Sequence, residues 1–155
     1  MAEFELARTT TIDAPASAVF PLIADFRQWQ MWSPWEGLDP ELKRTYSGAD
    51  AGTGAVYEWA GNRKAGEGRM EIIEATEPGK VLIDLQFLKP FKARNTTTFE
   101  IVEADGKTTV SWVMRGPQTL LMRLMAPLIR MEKTVGGDFE KGLTELKTQA
   151  ETATA

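Results

Sequence analysis

Cysteine and histidine are both absent from the 155 residues. That removes thiol nucleophiles, disulfides, thiolate or imidazole metal sites and every Ser-His-Asp arrangement. Histidine is also the side chain best suited to move protons near neutral pH. Any catalysis would therefore rest on carboxylates, lysine, tyrosine or oriented water, and no metal or cofactor is expected. Basic charge is in deficit, with 18 Lys and Arg against 22 Asp and Glu and a net charge of −4. Nucleic-acid binders present a basic face, so no nucleic-acid partner is expected. Long apolar runs are missing too. None approaches the roughly 20 residues of a membrane span, which argues against stable membrane insertion. The opening Met1-Ala2-Glu3-Phe4-Glu5-Leu6 has neither the basic nor the apolar region of a secretory signal, so a cytoplasmic location is expected.

What is present suits one globular domain over residues 1–155. Hydrophobic residues make up 43% and charged residues 26%, an ordinary balance for a chain that buries roughly 70% of its unfolded surface. Such a core has room for a hole. The most informative stretch is Thr53-Gly54-Ala55-Val56-Tyr57-Glu58-Trp59-Ala60-Gly61-Asn62, followed by Gly66-Glu67-Gly68-Arg69-Met70-Glu71-Ile72-Ile73-Glu74. Period-2 alternation places Tyr57 and Trp59 on one strand face, and Met70 and Ile72 on one face of the next. Glycine inside a strand marks a bulge, a bend or a close approach. A bent sheet with aromatic side chains on its inner face is the wall of a cavity.

The remaining pattern supplies the frame. Phe4 to Asp13 alternates as a first strand, Asp13-Ala14-Pro15 opens a helix, and Asp25 to Trp29 reads as a second short helical turn. Trp32-Ser33-Pro34-Trp35 is a proline-broken loop. Its tryptophans, with Trp29, must pack on the domain or cover an opening. Six strands follow, at about Glu41–Ser47, Gly54–Ala60, Gly66–Thr76, Val81–Phe87, Ala93–Glu103 and Thr108–Arg115. Leu85, Phe87, Thr97, Phe99, Trp112 and Met114 share the dry face, and Asn95 has the same parity. Glu58, Glu71, Asp84 and Glu100 take the wet one. From Thr119 the period changes to 3.6, predicting a helix of about thirty residues with Pro127 near its start, Gly136-Gly137 in its middle and a frayed tail over 148–155. Arg123, Arg130 and Lys133 on that helix, and Lys89, Lys92 and Arg94 near Pro90, are either a solvated face or an attraction for an acidic headgroup.

Taken in order, Ile12-Asp13-Ala14-Pro15, Trp32-Ser33-Pro34-Trp35, Tyr46-Ser47-Gly48, Gly54-Ala55-Val56-Tyr57-Glu58-Trp59, Gly66-Glu67-Gly68-Arg69-Met70, Thr109-Val110-Ser111-Trp112-Val113-Met114 and Phe139-Glu140-Lys141-Gly142-Leu143 form a pattern. It resembles the polyketide cyclase/dehydrase-type SRPBCC proteins of bacteria, within the START-like, birch-pollen-allergen-like superfamily. The resemblance covers about positions 3 to 148. It implies an α+β helix-grip fold, a seven-stranded curved antiparallel sheet in β-α-α-β6-α order wrapped around a long C-terminal helix. It also implies a deep apolar cavity between sheet and helix, open at one end.

The expected cavity wall comprises Trp35 from the loop, Tyr57, Trp59, Met70 and Ile72 from the bent hairpin, and Leu85 and Phe87 from the next strand. Thr97 and Phe99, then Trp112 and Met114, continue it across the sheet, and Met122, Met125 and Phe139 close it from the helix. No catalytic residue is assigned, because no nucleophile–base pair can be assembled on the inner strand face. The leading expectation is a module that holds a hydrophobic small molecule: lipid, polyketide, isoprenoid or aromatic metabolite. The alternatives are a cyclase or aromatase acting by proximity with a weak acid or base, and an interaction or stress-response module docking through an exposed Trp29-Trp32-Trp35 patch. Unpaired sheet edges leave a monomer or a weak homodimer.

Overall fold

The computed structural model describes residues 3–63, 65–89, 92–117 and 128–154. Strand β1 (Glu3–Ile12) leads into helix α1 (Ala16–Ala24) and a 3-10 helix (Phe26–Met31). Then come β2 (Lys43–Gly48), β3 (Ala55–Ala60), β4 (Glu67–Thr76), β5 (Lys80–Lys89), β6 (Ala93–Ala104), β7 (Lys107–Pro117) and helix α2 (Leu128–Thr154). The strands form one antiparallel sheet in the order β1-β7-β6-β5-β4-β3-β2. Strands β2 to β7 are a plain meander. β1 then pairs with β7 from Glu3↔Pro117 to Ile12↔Thr108. This is the helix-grip architecture: one curved sheet closed over by α1 and α2.

Local chemistry accounts for the pieces. The β6–β7 hairpin turns on Asp105 and Gly106, both at positive φ (54° and 78°), the conformation a two-residue hairpin loop requires. Helix α1 follows Pro15, whose ring offers no side-chain cap. Glu103 of β6 supplies one, accepting the Ala16 N–H at 2.6 Å. At the other end of α1, the Trp32 and Trp29 indoles donate to the Leu22 and Ile23 carbonyls at 2.8 and 2.9 Å. Those bonds hold Trp29 and Trp32 in the core, only 3% and 2% exposed, with Trp35 partly buried against it, so the three tryptophans do not form the expected exposed docking patch.

Two register shifts bend the sheet between β4 and β5. Gly68 pairs with Phe87 while Glu67 pairs with Lys89, leaving Leu88 extra. Ile72 pairs with Ile83 while Glu74 pairs with Leu82, leaving Ile73 extra. Both extra residues are exposed, as expected where a bulge turns a side chain outward.

Helix α2 lies against β1, α1 and the 3-10 helix. Its inward stripe is Val135, Phe139, Leu143, Leu146 and Ala150. The tail expected to fray is helical through Thr154. Ala150 is fully buried, and Glu151 accepts the Asp13 N–H and the Lys147 ammonium at 2.8 and 2.6 Å. Those contacts hold a polar sequence in place. The expected helical start at Thr119, Arg123, Pro127, Met122 and Met125 lie outside the described residues.

Candidate functional site

A cavity of about 440 Å³ lies between the sheet and α2, at the sheet end where β3 connects to β4 and β5 to β6. It reaches solvent beside Lys89, whose side chain lines it and is 74% exposed. Alternation fixes the floor: Tyr57 and Trp59 from β3, Met70 from β4, Leu85 and Phe87 from β5, Asn95 and Thr97 from β6, Trp112 and Met114 from β7. Trp35 borders it from the loop and Val135 from α2.

Ile72, Phe99 and Phe139 share that parity or that stripe but do not line the cavity. All three are fully buried core. Ile72 and Phe99 lie nearer the opposite end of the sheet, where Phe99 meets Trp29 and Trp32 edge-on. Phe139 stacks on the back of Trp112 at 4.1 Å and 5°. Phe99 and Phe139 support Trp112 from behind.

Glycines make room for the aromatic floor. A Cβ on Gly68 would collide with the Trp59 ring and the Gln86 carbonyl, so Trp59 lies across its cross-strand partner. The Trp59 indole is then fixed by a 3.0 Å bond to the Ala65 carbonyl. At Gly116 a Cβ would strike the Asn95 amide oxygen. Among the described residues the Asn95 amide nitrogen reaches only the Met114 sulfur at 3.8 Å, a weak acceptor. Gly136 yields its space to the Arg8 guanidinium, whereas among the described residues nothing stands within 4 Å of a Cβ on Gly137. Gly142 brings α2 against Trp112 Cζ3 and Pro34 Cδ, each 2.9 Å from an added Cβ.

The loop between the 3-10 helix and β2 contributes what periodicity does not reveal. Leu38, Leu42, Ser33 and Glu36 all border the cavity. Strand carboxylates do stay outside. Asp84 pairs with Arg94 at 2.9 Å, and Glu71 with Arg69 at 3.1 Å. Glu36 instead enters the wall from the loop, its side chain 10% exposed. One oxygen takes Arg44 at 2.7 Å and the other accepts the Tyr57 hydroxyl at 3.3 Å. Burial first, then the neighbouring Glu36 charge, push the Tyr57 phenol far above its usual range. Tyr57 is therefore a neutral donor and a poor acid. Trp35 is tied to α2 through Asp138 at 3.3 Å. Among the described residues no group of acidic side chains could hold a metal ion, and no helix is long and apolar enough to cross a membrane.

The sequence pattern of the polyketide cyclase/dehydrase and lipid transport family matches residues 3–151. The chain belongs to that family. No curated protein matches it. Among solved structures, this member of the polyketide cyclase/dehydrase family is similar to a Thermobifida fusca protein determined by solution NMR. The two are 22% identical with a TM-score of 0.69, over 94% of this chain and 92% of that one. It is similar to Ara h 8.0201 at 12% identity and a TM-score of 0.65, covering 97% and 99%. A third likeness is to an HSP90 activator from Plasmodium falciparum, at 16% identity and a TM-score of 0.62, covering 96% and 95%. Likeness at these identities shows the shared fold alone.

Proposed function

We propose that this chain binds a hydrophobic small molecule (a lipid, polyketide, isoprenoid or aromatic metabolite) in the cavity between sheet and α2. The observation that carries the reading is the wall itself. Tyr57, Trp59, Phe87, Trp35 and Trp112 surround about 440 Å³ together with a few polar atoms. Small-molecule sites span roughly 300–1,000 Å³ and have this mixture of apolar surface and sparse polar groups. Burial of an apolar ligand would supply about 25 cal/mol per Å², with the polar atoms setting orientation. The family description, which pairs cyclase or dehydrase chemistry with lipid transport, accommodates holding as well as reaction.

Glu36 weighs for holding. It is the carboxylate in the described wall, and Arg44 and Tyr57 already engage both its oxygens. The proposed protein works without a cofactor in the cytoplasm, as a monomer or weak homodimer.

Native mass spectrometry of protein purified without detergent, set beside its denatured mass, tests the reading. A discrete added mass that disappears on denaturation is the expected result. A bare native mass, together with no saturable fluorescence gain from N-phenyl-1-naphthylamine, would reject it.

A further inference from the structure

All five tryptophans are described, and four of their indole N–H groups have protein acceptors: Ile23 O, Leu22 O, Asp138 Oδ2 and Ala65 O. The fifth, Trp112 Nε1, is buried with no partner among the described residues, in a side chain 1% exposed. Thr97 Oγ1 is in the same condition at 3% exposure, whereas the equally buried Thr108 hydroxyl donates to the Ala14 carbonyl at 2.7 Å. A buried polar group left unpaired is destabilising, so each one calls for a partner. Thr97 and Trp112 are both lining residues of one cavity. Thr97 pairs with Met114 and Phe99 with Trp112, so Thr97 and Trp112 are diagonal neighbours on one sheet face. Diagonal positions are roughly 7–8 Å apart, within reach of a common atom for a long aromatic side chain.

We propose that the inner end of the cavity is a carbonyl-recognising site, where the Trp112 indole N–H and the Thr97 hydroxyl hold one neutral oxygen of the ligand. A carbonyl oxygen has two lone pairs and takes both donors at once. An ammonium group is disfavoured at this point because an indole N–H cannot accept, which leaves it the Thr97 hydroxyl oxygen alone. A carboxylate is disfavoured because the charged side chains of the described wall are Glu36, already paired, and Lys89 at the solvent end. Thr97 lies four residues along β6 from the lining residue Ala93, roughly 13 Å inward at strand spacing. The ligand therefore enters oxygen first, with its apolar body along Trp59 and Phe87. This inference rests on the binding reading and adds the ligand's chemistry and direction.

The test compares two compounds of the same shape, 2-acetylnaphthalene and 2-isopropylnaphthalene, by isothermal titration of the full chain and its Thr97→Val and Trp112→Phe variants. The ketone should bind wild type about tenfold more tightly than the hydrocarbon, the equivalent of about 1.4 kcal/mol. Each substitution should bring that ratio close to one, whatever it does to the affinity for the hydrocarbon itself, because both compounds meet the same altered wall within one variant. Thr97→Val keeps the side-chain shape, so it carries the comparison if Trp112→Phe folds poorly. Equal binding of both compounds to wild type, or an unchanged ratio in both variants, would overturn the carbonyl site. Binding of neither compound would overturn the cavity reading itself, and this inference with it.

Discussion

The Tyr57 phenol is held neutral by two influences of the same sign, its burial and the Glu36 carboxylate. Because the folded pKa is raised, Tyr57's contribution to stability is fully present below the unfolded value of about 10 and is lost as pH rises through the folded one. Ultraviolet titration of the two-tyrosine chain should therefore show a late ionisation coincident with unfolding, and Tyr57→Phe should remove that step. Gly68→Ala acts on the floor instead. The new methyl group must displace the Trp59 ring, which should cost about 1–3 kcal/mol in denaturant melts and weaken ligand binding. Trp59→Ala should cost about 3–5 kcal/mol and abolish binding. At this scale the strand residues were legible, since period 2 separates Tyr57 and Trp59 from Glu58 without further information. Glu36, Leu38 and Leu42 were not, because an irregular loop has no period. Nor does parity say where along a strand the cavity stops, which is why Ile72 and Phe99 were expected in its wall and lie in the core.

At the scale of elements, two of the three glycines in α2 have opposite consequences. Gly137 is helical and faces no described residue at its missing Cβ, so Gly137→Ala should raise stability by about 1 kcal/mol through helix propensity alone. Gly142 is pressed against Pro34 and Trp112, so Gly142→Ala should lower stability and shift α2 away from the cavity. Thermal melts of the two variants should move in opposite directions. Periodicity marks Gly136-Gly137 as a weakness in the helix and says nothing of that kind about Gly142; what separates Gly137 from Gly142 is what faces each. Strand number, order and turns were readable from glycine, proline and alternation. The β4–β5 bulges were announced only in kind, because the residues left over, Ile73 and Leu88, depend on cross-strand register. Similarly, no local rule assigns Glu103 the task of capping α1 from a distant strand.

Over the whole molecule, the N-terminal strand is paired with β7 and buries Phe4, Leu6 and Ile12. Removing residues 3–12 should abolish the folded circular dichroism spectrum, although the remaining six strands form a continuous meander. A ligand that binds only the folded chain should raise its stability by about 2.7 kcal/mol at a free concentration one hundred times its Kd. Calorimetric scans over a ligand series would check that dependence. The packing of the indoles has an optical consequence. Trp29 and Trp32 lie 4.7 Å apart, Trp32 and Trp112 5.7 Å, and Trp35 and Trp112 5.6 Å, measured between ring centres. Excitation absorbed by any of these four rings can migrate to the others before it is emitted. A molecule arriving beside Trp112 would then change the light from the whole cluster, making the chain a dye-free reporter of its own occupancy.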